Sequence, residues 1–168
     1  SDTDRAIGLH IYGSNNDVIL NADIEATGSY SMGVRVDGSQ NDLTIASGNA
    51  IVVNGEEGNG IVVSYGKNHN VSIEDSAIVT ATGVGGIGAR FDFGSNELGD
   101  RTEYRGSYIR GEYDEKQGEF VKMNFTEDGA LEGELVTDFN VNGALEGKWA
   151  SIYISPNALV KKINIGED

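Results

Sequence analysis

Apolar residues recur along the chain in short alternating runs, and the runs repeat at nearly regular intervals. The first run of each repeat lies between glycines and alternates apolar with other residues, as a half-buried β-strand does. Its four copies are residues 8–13 (GLHIYG), 33–38 (GVRVDG), 60–66 (GIVVSYG) and 88–94 (GARFDFG). The leading glycines lie 25, 27 and 28 residues apart, which predicts a repeat protein.

Two further β-type runs follow each first run. The second runs are residues 18–20, 43–45 and 71–73, and the third runs are residues 24–28, 51–55 and 78–83. One repeat therefore holds three short strands and three turns, a unit too small to bury an apolar face alone. Stacking closes the backbone hydrogen bonds between successive coils. The sequence predicts an all-β fold, a parallel β-helix (β-solenoid) with three short strands per coil of about 25–28 residues.

Equivalent side chains of stacked coils form rows, and the repeat predicts which rows fill the interior. The predicted interior rows are Leu9, Val34, Ile61 and Ala89; Ile11, Val36, Val63 and Phe91; Val18, Leu43 and Val71; and Ile24, Ile51 and Ile78. The row that is predicted to face solvent is His10, Arg35, Val62 and Arg90. The Asn- and Asp-rich turns at 13–17, 38–42 and 66–70 favour positive φ and a ladder of stacked amides. His69 falls there in the row of Asn16 and Asn41.

The repeat lapses after residue 94. Residues 95–106 are polar and charged, 111–119 (GEYDEKQGE) are charged and 120–125 alternate. This pattern predicts a charged hairpin or loop excursion from the solenoid wall around 110–128. The pentapeptide GALEG at 129–133 and 143–147 marks resumed coils, with two more strands at 149–154 and 158–165. We interpret 1–168 as one solenoid segment with regular coils at 6–94, an excursion at 95–128 and resumed coils at 129–166. Since no end cap is evident, we expect a piece of a longer chain.

Charge and composition argue against several classes of function. The chain has 12 basic and 27 acidic residues, a net charge of −15, which repels the phosphates of nucleic acid. It has no cysteine and only two histidines, so we expect neither a metal centre nor a cofactor. No G-x-S-x-G motif is present, and the repeat positions of His10 and His69 explain both imidazoles without a hydrolase triad.

Several segments resemble the passenger domains of autotransporters, the type V secreted proteins of Gram-negative bacteria. They are residues 91–99 (FDFGSNELG), 103–109 (EYRGSYI), 135–140 (LVTDFN) and 150–158 (ASIYISPNA). The resemblance implies a right-handed parallel β-helix exported through the outer membrane to the cell surface, with a translocator barrel downstream. Passengers of this kind include adhesins, proteases and aggregation factors, so the resemblance implies architecture and location more than activity. Because the matched motifs are solenoid motifs and not catalytic ones, we expect an adhesin, binding scaffold or structural stalk and not an enzyme.

The charged and aromatic residues from the fourth repeat onward are the candidate binding residues. They are Arg90, Asp92, Asp100, Arg101, Glu103, Arg105 and Tyr113. Exposed tyrosine beside charged groups suits contacts with a host protein, a glycan or a neighbouring cell surface, and we also expect self-association. The alternative is a β-helix polysaccharide lyase or glycosidase that uses the Asp/Arg cluster between residues 90 and 105. A solvated turn with weak surface ion pairs is the competing interpretation.

Overall fold

The computed structural model describes residues 1–64, 66–92, 134–156 and 158–166, together with the backbone of 111–114 and 119–122. Every regular element in these residues is a β-strand. The strands are β1 (Ile7–Ile11), β2 (Asp17–Leu20), β3 (Ile24–Ala26), β4 (Met32–Val36), β5 (Asp42–Ile45), β6 (Ala50–Val53), β7 (Asn59–Val63), β8 (His69–Ile73), β9 (Ile78–Ala81), β10 (Ile87–Phe91), β11 (Gly111–Asp114), β12 (Glu119–Lys122), β13 (Val136–Val141), β14 (Ala144–Gly147), β15 (Ala150–Ile154) and β16 (Val160–Ile165).

Three parallel sheets form the walls of the molecule. The first sheet has the order β1-β4-β7-β10-β15, the second β2-β5-β8-β13-β16 and the third β3-β6-β9-β14. Each of the first four coils contributes one strand to each sheet, and β15 and β16 add a further strand to the first and second sheets. The coils stack as a β-solenoid of about four turns. The predicted fold class, an all-β parallel solenoid with three strands per coil, is confirmed.

The strand register confirms the first three interior rows. Leu9 pairs with Val34, Val34 with Ile61 and Ile61 with Ala89. The rows that begin at Ile11 and Val18 pair in the same way. Inner members of these rows, such as Val34 and Ile61, are completely buried, whereas Leu9 and Val18 in the first coil are partly buried and pack against the core.

The fourth predicted row is wrong at Ile78. Ile51 pairs with Val79 and not with Ile78, which pairs with Ala50. Val79 is completely buried, while Ile78 is 43% exposed. In the strand register, equivalent residues of these two coils lie 28 residues apart, as Ile45 and Ile73 do. The prediction aligned Ile51 with Ile78, which are only 27 residues apart. Because side chains alternate along a strand, a slip of one residue moves a side chain to the opposite face.

The row predicted to face solvent points away from the interior, but two of its members are buried. Arg35 and Val62 have no exposed surface, whereas His10 and Arg90 are partly exposed. Val62 packs with Met32 and Ile7 in a second apolar cluster, separate from the main core. The guanidinium of Arg35 is held by a buried carboxylate, so that its burial does not leave the charge uncompensated.

The Asn-rich turns join the first sheet to the second, and they stack as predicted. Asn15, Gln40 and Asn68 occupy equivalent places with φ of 57°, 54° and 59°. In the next position Asn41 Oδ1 accepts hydrogen bonds from the backbone and side-chain nitrogens of Asn16, at 3.0 and 2.9 Å. The backbone N–H of Asn41 in turn donates to Nδ1 of His69 at 3.2 Å. His69 is therefore buried and extends the amide ladder, as the first residue of β8.

The interval in which the sequence repeat is absent connects two walls of one coil. The chain leaves the first sheet after β10 and rejoins the second sheet at β13. Within this interval β11 and β12 pair as an antiparallel hairpin, with Tyr113 opposite Phe120. The predicted hairpin excursion is confirmed for these two strands. It is inserted at the corner where earlier coils have the Asn-rich turn.

Candidate binding site on the outer face of the first sheet

Two rows of side chains run along the outer face of the first sheet. The first row is that of His10, Arg35, Val62 and Arg90. The strand register continues it from Arg90 to Tyr153 in β15, the last strand of the first sheet. The second row lies two residues further along each strand and contains Asp37, Ser64, Asp92 and Ser155. The backbone N–H group of each of these residues donates to a backbone carbonyl oxygen of the preceding coil. Because coils are stacked at the strand spacing, side chains far apart in sequence become neighbours on this face.

A buried polar network lies at the end of this face nearest the first coil. Oδ2 of Asp37 accepts hydrogen bonds from Nε2 of His10 at 2.6 Å and from Nε of Arg35 at 2.7 Å. Its other oxygen, Oδ1, accepts from the hydroxyl of Ser64 at 2.8 Å. Asp37, Arg35 and Ser64 are fully buried, while the side chain of His10 is 27% exposed. One carboxylate thus binds three successive coils together.

The protonation state of Asp37 follows from its surroundings. Burial alone raises the pKa of its carboxyl, but the hydrogen bond from His10 and the charge of Arg35 outweigh that effect. The pKa of Asp37 is therefore lowered from its ordinary value of 3.8. Since the group is ionised at neutral pH, it holds no proton that it could donate to a leaving group.

Ser64, Asp37 and His10 do not have the geometry of a nucleophilic triad. In such a triad the serine hydroxyl bonds to the imidazole, and the carboxylate bonds to the other ring nitrogen. Here the hydroxyl of Ser64 donates to the carboxylate, on the oxygen that does not face His10. The network consequently orients and stabilises the coils, with the Ser64 hydroxyl bonded to the carboxylate and not to the imidazole of His10.

An open cleft of about 290 Å³ lies at the other end of the same face. Its lining residues are Glu57, Gly85, Ile87, Arg90, Trp149 and Tyr153. Arg90 and Tyr153 are register partners in adjacent strands, and Trp149 immediately precedes β15. Glu57 and Gly85 come from the corner between the third and first sheets, where their φ angles are 54° and 75°. A Cβ on Gly85 would overlap the carboxylate of Glu57. Glycine at this position therefore makes space for the Glu57 side chain.

Two aromatic rings, one guanidinium and one carboxylate line the cleft. The rings of Trp149 and Tyr153 have centroids 5.4 Å apart, and Trp149 is 63% exposed. The guanidinium of Arg90 lies 5.6 Å from the Tyr153 centroid and donates to Oδ2 of Asp92 at 2.8 Å. Contacts on both sides therefore fix the position of Arg90. The cleft offers a ligand apolar ring faces, guanidinium donors and the carboxylate oxygens of the exposed Glu57.

The structure brings together only part of the predicted binding set. Arg90 and Asp92 form the ion pair beside Tyr153. Tyr113 lies in β11, where the backbone alone is described. The other four predicted residues lie outside the described residues: Asp100, Arg101, Glu103 and Arg105.

The sequence interpretation missed the aromatic side of the cleft. Residues 150–154 (ASIYI) continue the first run of the repeats, and aligning them with 87–91 (IGARF) places Tyr153 in the row of Arg90. The intervening excursion interrupts the repeat and obscures this alignment in the sequence. Trp149, the single tryptophan of the chain, adjoins the same strand.

Within the described ranges, no three His, Asp or Glu side chains converge as metal ligands would. The same portion of the chain has no helix with the length and apolar character needed to cross a membrane. No family model, no curated protein and no solved structure matches this chain.

Proposed function

We propose that the chain is part of an exported surface protein of the autotransporter passenger type, and that it acts as a binding scaffold. The sequence resemblance supports the export and the cell-surface location. The cleft between Trp149 and Arg90 supports the binding role and is the observation on which it depends. The solenoid serves as a rigid support that keeps this cleft in a fixed place on its outer wall.

The chemistry of the cleft favours a saccharide as the ligand. Trp149 leaves most of its ring in water although a neighbouring tyrosine is available to cover it. An exposed aromatic face of this kind stacks well on the apolar C–H face of a pyranose ring. Arg90 donates to hydroxyl or carboxylate oxygens, while Glu57 accepts from sugar hydroxyls. Because the guanidinium of Arg90 is already oriented by Asp92 and Tyr153, it loses little freedom when it binds.

Binding is tested by applying the chain to an array of neutral and acidic oligosaccharides and then measuring the best ligands by calorimetry. We expect Trp149→Ala to weaken binding by about 30-fold, the effect of removing an aromatic hot spot worth about 2 kcal/mol. Ile19→Ala is the matched control, since Ile19 is 59% exposed on the second sheet and far from the cleft in the fold. Its binding should equal that of the unchanged chain.

Two outcomes contradict a saccharide site in the cleft. One is that no oligosaccharide binds, and the other is that Trp149→Ala binds as well as the unchanged chain. If acidic polysaccharides are cleaved when they are incubated with the protein, the result would instead favour a lyase or glycosidase. Mass spectrometry of the incubated saccharides detects any cleavage products and so distinguishes binding from cleavage.

A further inference from the structure

A row of residues follows the corner between the third and first sheets and leads into the cleft. Arg5, Tyr30, Glu57 and Gly85 occupy equivalent places in successive coils, with φ of 57°, 58°, 54° and 75°. The backbone N–H of each of the first three donates to the carbonyl oxygen just before the next member, at 2.7 or 2.8 Å. These four residues, called the corner row below, are therefore neighbours along the solenoid axis, one coil apart.

Tyr30 adds a second exposed aromatic ring to this corner. It is 45% exposed, and the guanidinium of Arg5 lies 5.3 Å from its ring centroid, a cation–π contact that restrains the ring. The backbone N–H of Trp149 donates to Gly86 O at 2.8 Å, which places Trp149 at the same corner, one coil after Gly85. Two aromatic side chains of the corner thus present apolar surface to water.

A carboxylate and a glycine lie between these two rings. Glu57 follows Tyr30 in the corner row, and its carboxylate lies against Gly85, where a Cβ would overlap it. Glu57 and Gly85 both line the cleft that contains Trp149. The corner row therefore connects the cleft to Tyr30, with hydrogen-bond acceptors between the two aromatic rings.

The spacing of the coils sets the length of a ligand that contacts both rings. Tyr30 belongs to the second coil and Trp149 to the fifth, so the two positions lie about 14 Å apart at the spacing of neighbouring strands. One coil is about as long as the step of one pyranose unit in an extended β-1,4-linked chain. A chain of about four such units, parallel to the solenoid axis, places its two end units at the two rings.

The charges around the corner row favour a neutral chain. The guanidinium of Arg90 is paired with Asp92 at 2.8 Å, which compensates its positive charge, whereas Glu57 is an exposed carboxylate. The whole protein has a net charge of −15. A polyanionic glycan is repelled by such a surface. A neutral glycan meets no such repulsion, and its hydroxyl groups both donate and accept hydrogen bonds.

We propose that the cleft and the corner row form one extended site for a neutral β-1,4-linked oligosaccharide, which lies parallel to the solenoid axis. This inference rests on the proposed saccharide-binding function, names the class of its ligand and adds Tyr30 as a contact residue. One end unit stacks on Trp149 and the other on Tyr30, while Glu57 accepts hydrogen bonds from hydroxyl groups between them. The stacked coils hold the two rings at a fixed separation, so that little freedom is lost when the chain binds.

Calorimetry with β-1,4-linked oligomers of glucose and of N-acetylglucosamine, one to six units long, tests the proposal. We expect affinity to rise about tenfold from the disaccharide to the tetrasaccharide, as the second ring is reached, and then to level off. Tyr30→Ala should abolish this gain, and Tyr30→Trp should retain it. Ile19→Ala is the matched control, because Ile19 is 59% exposed on the second sheet, and it should show the full gain. Thermal unfolding verifies that the variants are folded.

The outcomes separate this inference from the proposed function. If no saccharide of the array binds, both are contradicted. If a saccharide binds in the cleft but its affinity does not rise with chain length, or Tyr30→Ala leaves that rise intact, only the extended site is contradicted. The same holds if other saccharides of the array bind and neither β-1,4-linked series does. Tighter binding of the acidic tetrasaccharide of β-1,4-linked mannuronate than of the neutral tetrasaccharides would contradict the neutral ligand.

Discussion

Phe91 and Phe139 meet edge to face in the interior of the fourth coil, with ring centroids 5.0 Å apart and planes inclined by 67°. The first ends β10 in the first sheet, and the second lies in β13 of the second sheet. The excursion leaves the solenoid between these two strands. Their contact therefore closes the coil across the insertion, and both rings are completely buried.

Phe139→Ala should destabilise the chain by about 3–5 kcal/mol, because it removes a large buried side chain together with its aromatic partner contact. Urea unfolding measures the change in the free energy of unfolding. Ile19→Ala removes apolar atoms from an exposed side chain and should stay within about 0.5 kcal/mol of the unchanged chain. A comparable loss in both variants would show that Phe139 does not close the core.

Asp37→Asn should cost about 3 kcal/mol of stability, because it leaves the fully buried charge of Arg35 without its carboxylate. Asp42→Asn is the control. Asp42 is exposed and accepts one hydrogen bond from Asn70 at 2.7 Å, so its substitution should cost less than about 1 kcal/mol. Equal effects in urea unfolding would contradict a stabilising role for the buried network.

The contribution of Asp37 should depend on pH in one direction. Its pKa is below 3.8 in the folded chain, so the folded state favours the ionised form more than the unfolded state does. The stabilisation is then fully present above about pH 4 and is lost as the pH falls through the folded pKa. The difference in stability between the unchanged chain and Asp37→Asn, measured by urea unfolding, should therefore shrink as acid is added below pH 4. A difference that grows there would reverse the sign of this coupling.

Gly33→Ala should be poorly tolerated, because its Cβ would overlap Cγ2 of Ile51 and lie 2.6 Å from the carbonyl oxygen of Gly60. Two walls approach each other too closely at this corner for a side chain. Gly48 has a φ of 76° but nothing within 4 Å of a Cβ, so Gly48→Ala should cost only the backbone strain of about 1 kcal/mol. Thermal unfolding of the pair separates the two effects, and a larger loss at Gly48 would contradict the assigned crowding.

The sequence was sufficient to predict what depends on the repeat. The row of Val34 and Ile61, the amide ladder at Asn41 and the pairing of β11 with β12 follow from local periodicity and turn chemistry. Ile78 was misplaced because a single extra residue in a turn changes the face of a strand without changing its composition.

The outer face was harder to predict because its chemistry is assembled across coils. Asp37 bonds to side chains 27 residues away on either side, His10 and Ser64, and no local motif records such a contact. The cleft joins Arg90 to Tyr153 across the excursion, where the period can no longer be counted. Only the paired register of β10 and β15 brings the two together.

Trp149 is the single tryptophan of the chain and lies in the cleft, so its fluorescence reports directly on a ligand bound there. Titration with the best oligosaccharide from the array should shift its emission to shorter wavelength and reduce quenching by acrylamide, as a ring that is now 63% exposed becomes covered. Saturation should follow the calorimetric curve. Calorimetric binding with unchanged emission and quenching would place the ligand elsewhere and contradict binding in the cleft.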